Sequence, residues 1–319
     1  MKNFALTGAA GYIAPRHLKA IRDTGSRLVA ACDPHDAVGI LDSFFPDAAY
    51  FREFERFDRH IELLRRRSPE ERVHVVSICS PNHLHDAHVR TALRVGADAL
   101  CEKPLVLNPW NLDALQDLEA ETGRRVSTVL QLRVHPALVE LKKRVNARAD
   151  RRATVVLSYV TARGTWYRYS WKGDEHKAGG VATNIGIHFF DLLIWLFGTS
   201  RREEVALSEP TRISGLLELE RADVLWFLSI DRNDLPFEAT PGQKTTFRSI
   251  TIDGEEVEFT DGFTDLHTRV YEETLAGRGF GIAEARPSIE LTHRVRAAVP
   301  TARPAARHPF LERLSNVGR

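Results

Sequence analysis

The sequence predicts an α/β Rossmann domain, built on a doubly wound parallel sheet, followed by an α+β domain with a large, mostly antiparallel open-faced sheet. Three observations carry that expectation. Residues 4–7 form a short apolar run that meets Gly8-Ala9-Ala10-Gly11 and then a helical run over 13–21. A second apolar run, 27–32, ends in Asp33, 22 residues after Gly11. Beyond about Arg133 the strands alternate in polarity, and the strand–helix rhythm of the first 130 residues stops. Strands that alternate with helices make a parallel sheet; consecutive alternating strands make an antiparallel one.

The first half divides element by element. Small residues after the first strand let a backbone approach a pyrophosphate, whose charge suits the N–H groups of the following helix. Gly11, Tyr12 and Ile13 are the expected contacts there, although a ligand-free tight turn would use the same glycines. Asp33 is placed to accept hydrogen bonds from a ribose diol and to repel a 2′-phosphate, which favours NAD over NADP. Its plainer alternative is a helix cap. A third strand, 73–78, is almost wholly apolar and leads into Ser80-Pro81-Asn82-His83-Leu84-His85. Ser80, Asn82 and His85 then stand at the carboxyl edge of the sheet, where such folds bind ligands. The plainer alternative is that Asn82 caps the helix and His85 is solvated, and for His85 the two readings weigh equally. The run 97–100 precedes Cys101-Glu102-Lys103-Pro104, which puts Lys103 at another strand end beside a residue that fixes the backbone. A helix over 108–121 and a strand over 126–130, ending at Gln131, complete a domain drawn as 1–132.

The remainder, 133–319, is expected to form the second domain. It opens with a helix over 135–145 and a strand over 154–160. Extended runs follow at 212–220, 223–230, 245–252 and 255–259, with Asp253-Gly254 as a hairpin signal. An apolar open sheet face needs cover, and another subunit is expected to supply it. The Pro- and Arg-rich tail after Ala298 is expected over the surface. Two stretches carry chemistry. Residues 163–172 hold four aromatic rings and three cations in ten positions; Arg163, Trp166, Tyr167 and Lys172 suit a charged nucleotide-sugar, and a subunit interface uses the same residue types. Behind Gly179-Gly180, Asn184, His188 and Asp191 share one face of a greasy helix. A metal on His188 and Asp191 is rejected for want of a third ligand.

Bulk properties exclude several classes. A net charge of +1 disfavours nucleic acid and anionic membranes as partners. Three cysteines, all in or beside expected buried strands, argue for reduced thiols and a cytoplasmic setting. No signal peptide and no apolar run approaching the ~20 residues of a membrane helix is read from the sequence.

With Glu102-Lys103-Pro104 and the stretch from Gly179 to Asp191, the chain resembles the glucose–fructose oxidoreductase / inositol dehydrogenase (Gfo/Idh/MocA) family. Within it, Gly8-Ala9-Ala10-Gly11-Tyr12-Ile13-Ala14-Pro15-Arg16-His17, Leu130-Gln131-Leu132-Arg133, Gly180 to Gly186 and Gly262-Phe263-Thr264-Asp265-Leu266-His267 look like the UDP-N-acetyl-2-amino-2-deoxyglucuronate 3-dehydrogenases of bacterial O-antigen and lipopolysaccharide synthesis. The resemblance implies NAD as cofactor and a UDP-sugar uronate oxidised at its 3-hydroxyl. It implies Glu102, Lys103 and Gln131 near the nicotinamide, and Lys103 and His188 near the reacting hydroxyl. It further implies a cis Lys103–Pro104 peptide, a homotetramer, a downstream aminotransferase and, in some relatives, NADH reoxidation by 2-oxoglutarate. Asn184 stands where most of the wider family has Asp, which leaves it a neutral hydrogen-bonder. The alternative is a polyol or aldose dehydrogenase of the same family.

Overall fold

The computed structural model describes residues 1–148, 151–237, 245–257, 259 and 264–317, with side chains to 313. They form two compact units. The first is Met1–His135 with Gly262–Arg286, described from 264; the second is Pro136–Asp261 with Pro287–Arg319. The break after His135 stands close to the expected 132/133. The return of 264–286 to the first unit differs from the expectation that everything past 132 builds the second domain.

The first unit runs β1 (Asn3–Thr7), α1 (Ala14–Asp23), β2 (Arg27–Cys32), β3 (Ala49–Phe51), α2 (Phe54–Arg67), β4 (Val75–Ile78), α3 (His85–Arg94), β5 (Asp98–Cys101), α4 (Trp110–Thr122) and β6 (Val126–Thr128). Its sheet has the order β3-β2-β1-β4-β5-β6, parallel throughout. Every residue of β1 and β4 is buried, as central strands covered on both faces require. The order reverses between β1 and β4, and the crevice beyond their carboxyl ends is where open sheets bind ligands. The Gly8 turn, Ser80–Asn82 and Lys103 all follow strands at that edge.

In the second unit α5 (Pro136–Asn146) and β7 (Ala153–Thr161) are followed by the short helices α6 (Trp166–Tyr169) and α7 (Glu175–Ala178). A π-helical turn, Ala182–Gly186, then leads into α8 (Ile187–Phe197). By length and hydropathy the helical run Glu175–Phe197 reaches what a membrane span needs, contrary to the reading from sequence. With 78% of its most apolar window buried, it has the surroundings of a core helix. The strands β8 (Ser200–Ser208), β9 (Arg212–Leu219), β10 (Ala222–Ser229), β11 (Thr246–Ile252) and β12 (Glu255–Glu256) complete a sheet ordered β12-β11-β7-β10-β9-β8. Only β7–β10 is parallel. Residue 258 of the expected last strand, and Gly262-Phe263 of the motif quoted above, lie outside the described residues. Then come α9 (Leu266–Leu275) in the first unit, α10 (Ile282–Ala297) and α11 (Pro309–Val317).

The tail does not simply lie over the surface. Phe310 stacks on Phe227 of β10 and Phe247 of β11 at 5.2 and 5.8 Å, and Leu311 joins Val160 and Phe227 in a small apolar cluster. His308 is buried beside them, its Nε2 3.2 Å from Ser158 Oγ. The chain's own carboxyl end therefore covers part of the open sheet face, cover that the sequence reading assigned to another subunit.

Burial holds His88 at about 3 and His308 at about 4, against an ordinary 6.5. Both rings stay neutral in the folded chain and take a proton once unfolded below about 6.5, so across that window the unfolded state binds more protons. Stability is thus full above about pH 6.5 and falls towards pH 4, by up to about 1.4 kcal/mol per pH unit for each ring. His308→Phe is expected to lose its share of that slope in urea titrations at several pH values; an unchanged slope contradicts the assignment.

Candidate active site

The first unit presents a cradle. Gly8 has φ +84°, and a Cβ there would meet the Cys79 carbonyl carbon and oxygen at 2.5 Å. Only glycine lets the turn after β1 press against the end of β4. The turn is pinned by Gly8 N–H donating to the Cys32 carbonyl at 2.8 Å and by Gly11 N–H donating to the Gly8 carbonyl at 3.0 Å. Tyr12 projects into solvent, 85% exposed, and α1 begins just beyond it, where Ala14 N–H donates to the Gly11 carbonyl and Arg16 N–H to the Ile13 carbonyl, both at 3.0 Å, and Pro15 has no N–H to offer.

Asp33 has a task the sequence did not show. Its Oδ2 accepts from Ala10 N–H at 3.0 Å and its Oδ1 from His35 N–H at 2.9 Å. The carboxylate ties the end of β2 to the glycine turn, and only 6% of the residue is exposed. His85, expected at the cofactor edge, is a core residue with no exposure. Its Nδ1 lies 2.7 Å from the Pro104 carbonyl and its Nε2 2.8 Å from the Ser80 carbonyl, so it ties together the loops after β4 and β5. Burial pushes its pKa down, opposed by those two carbonyls. Ser80 is buried too, its Oγ 2.9 Å from Nδ1 of His88, and Asn82 is 5% exposed. The Lys103–Pro104 peptide is cis.

Glu102 departs furthest from expectation. It points into the unit, 7% exposed, and its Oε1 accepts from His17 Nε2 at 2.9 Å and His267 Nε2 at 3.0 Å. Burial works to raise its pKa, yet the two imidazole donors hold the carboxyl well below the usual range. Gln131, just past β6, keeps its Oε1 buried with no partner among the described residues. An orphaned acceptor at the carboxyl edge of the sheet fits the carboxamide N–H of a nicotinamide.

In the second unit, Asn184 and His188 are half-buried amid buried neighbours and lie on one side of the run through the π-turn into α8, as their spacing predicts. Asp191 is buried. The Asn184 Nδ2 donates to the Tyr167 hydroxyl at 2.7 Å, and burial raises that phenol's pKa, so it stays a neutral partner. Lys172 sits between two indoles, its Nζ 5.5 Å from the Trp166 ring centre and 5.0 Å from that of Trp171. Burial, then the charge of Arg163, lowers its pKa. Trp166 and Arg163 are exposed. A desolvated cation among rings is a ready partner for an anionic ligand.

A glycine turn after β1, an unpartnered amide oxygen past β6 and a lysine past the end of β5 are features that a dinucleotide-dependent oxidoreductase would use. The chain belongs to the Gfo/Idh/MocA oxidoreductase family, whose NAD-binding Rossmann-fold profile matches residues 2–129 and whose C-terminal alpha/beta domain matches 152–231. It is 56% identical to the WlbA (WbpB) dehydrogenase of Thermus thermophilus over 97% of this chain and 100% of that one. The TM-scores are 0.93 against its complex with NAD and alpha-ketoglutarate and 0.92 against that with NAD and UDP-GlcNAcA. The WlbA dehydrogenase of Bordetella pertussis shares the fold at 20% identity, TM-score 0.75, over 93% of this chain and 95% of that one. Among curated proteins, the D-glucoside 3-dehydrogenase of Escherichia coli is 28% identical over 131 residues, and the putative oxidoreductase YteT of Bacillus subtilis 25% over 165. These cover 39% and 51% of this chain, and the chain spans only 36% and 37% of those two relatives.

Gln131→Ala is expected to raise the dissociation constant for NAD about tenfold, the cost of one hydrogen bond near 1.4 kcal/mol. Fluorescence titration reads it; unchanged affinity removes Gln131 from the site.

Proposed function

We propose that the chain is an NAD-dependent dehydrogenase that oxidises the 3-hydroxyl of UDP-N-acetylglucosaminuronic acid to a 3-keto sugar. The observation that carries this reading is end-to-end likeness, at 56% identity, to a dehydrogenase held in complex with NAD and with UDP-GlcNAcA. The loop bearing Arg163, Trp166 and the indole-flanked Lys172 supports it, because a uronic acid on a diphosphate offers such a loop anions and ring faces.

NAD supplies a hydride acceptor when bound. The protein's part is to orient the sugar and remove the hydroxyl proton as the C–H bond weakens. Lys103 and His188 carry that proton, Lys103 as the base and His188 in the path onward. Tyr167, through its bond with Asn184, keeps a neutral polar group ready for the sugar rather than a second carboxylate. Three further assignments belong to the same proposal. The enzyme works in the cytoplasm as a homotetramer, makes a precursor of O-antigen lipopolysaccharide, and hands its keto sugar to an aminotransferase. The alpha-ketoglutarate bound with NAD in the Thermus thermophilus structure favours in-place reoxidation of NADH by 2-oxoglutarate.

Incubation with NAD, UDP-N-acetylglucosaminuronic acid and 2-oxoglutarate is expected to yield keto sugar and 2-hydroxyglutarate. Lys103→Ala and His188→Asn are each expected to lower kcat by about 10²–10⁴-fold. Turnover within a few-fold of wild type in both variants contradicts the roles given to them, and equal turnover of free inositol or glucose contradicts the substrate.

A further inference from the structure

Neither the reaction nor the cofactor accounts for the polar cluster behind Lys103. Five side chains form one buried chain of hydrogen bonds. Ser77 Oγ of β4 lies 2.6 Å from the Tyr271 hydroxyl, which lies 2.7 Å from His17 Nδ1. His17 Nε2 and His267 Nε2 then meet on the single oxygen Oε1 of Glu102. None of the five is more than 7% exposed. Burial keeps the Tyr271 phenol protonated and lowers His17, so the direction of donation is defined. Tyr271 donates to Nδ1 of a neutral His17, and both rings donate Nε2–H to an ionised carboxylate. The other oxygen, Oε2, accepts from the backbone N–H of Lys103 at 3.3 Å.

A buried charge held this way is expensive to desolvate, and apolar packing would often do as well for stability. What the arrangement supplies is position. Helix α1, which follows the glycine turn, and α9, which returns from the far end of the sequence, both grip one atom at the carboxyl end of β5. That atom's residue carries Lys103 on its own backbone. We propose that His17, His267 and Tyr271 are positioning residues of the dehydrogenase, which hold Glu102 as a buried anion so that it fixes the backbone at Lys103. This rests on Lys103 being the reacting lysine.

The ligand atoms of His17, Glu102 and His267 lie within 4.8 Å of one another, so the trio also has the make-up of a two-histidine, one-carboxylate metal site. No ion is needed to account for the trio, because each ring nitrogen stands at hydrogen-bond distance from the same oxygen, 2.9 and 3.0 Å, and can donate to the carboxylate directly.

The experiment compares His17→Phe and His267→Phe with His17→Gln and His267→Gln, which keep an N–H donor. The groups facing Glu102 besides these rings are Tyr271, Cys79, Cys101, His85 and Lys103. Each Phe variant is expected to lower kcat about 10–100-fold while the dissociation constant for NAD stays within about threefold. With one donor gone the Glu102 pKa rises, so kcat should gain an acid limb, falling as the pH drops through the raised value. The Gln variants should recover most of kcat and lose that limb. Unchanged kcat in the Phe variants, a defect confined to NAD affinity, or stoichiometric divalent metal in the purified protein would each overturn the proposal. If the Phe variants do not fold, Glu102→Gln, nearly isosteric, carries the same test: it should lower kcat with NAD affinity retained, and unchanged kcat overturns the proposal. Lys103→Ala run alongside separates the two readings. Full turnover there removes Lys103 itself, whereas lost turnover there with unaffected His17 and His267 variants removes only the anchor.

Discussion

Two imidazole N–H groups converging on Oε1 of Glu102 set the conditions for the rest of the first unit. A carboxylate with so little exposure survives only because charge-assisted donors replace the water it has lost. Those donors are committed as a consequence. His17 must face inward from α1, which holds the helix start behind the glycine turn, and His267 and Tyr271 bring α9 against α1. The T-shaped contacts of His17 with His267 at 5.0 Å and with Tyr271 at 5.7 Å fill the space between them. Polar satisfaction and packing here are one constraint.

The second unit solves a related problem differently. Its long apolar helix has to offer polar groups at one end without leaving them unsatisfied. The π-turn over Ala182–Gly186 is a local widening of the kind found at functional sites; Asn184 lies half-buried within it and His188 half-buried in the first turn of α8. Glycine is needed at Gly179, where φ is +80° and a Cβ would fall 2.6 Å from the Thr183 Cβ. In the loop before it Lys172 lies against the rings of Trp166 and Trp171, and among the described residues no carboxylate pairs with it.

Much of this was legible in the sequence, and the misses share a cause. The parallel first sheet, the glycine turn, the strand-end placement of Lys103 and the shared face of Asn184 and His188 follow from local periodicity, which a sequence displays directly. The short β3 and the polar β8 were not foreseen: three residues carry no period, and Ser200–Ser208 is rich in charge. Histidines misled most. His85 was read as a surface or cofactor residue, because a sequence cannot show that two carbonyls from separate loops await its ring. The motifs ending in His17 and His267 were visible as subgroup signatures, yet nothing in a linear reading joins residues 250 positions apart to Glu102. The tail went the same way, taken up by long-range partners on the sheet.

The central claim, that a sugar carbon bearing a hydroxyl gives its hydrogen directly to the bound dinucleotide, is tested most directly by isotope. UDP-N-acetylglucosaminuronic acid deuterated at C3 should deliver one deuterium to the nicotinamide for each 3-keto sugar formed in a single turnover, read by mass spectrometry of the cofactor. Keto sugar formed with no deuterium on the cofactor, or label transferred only from another carbon, would contradict the account.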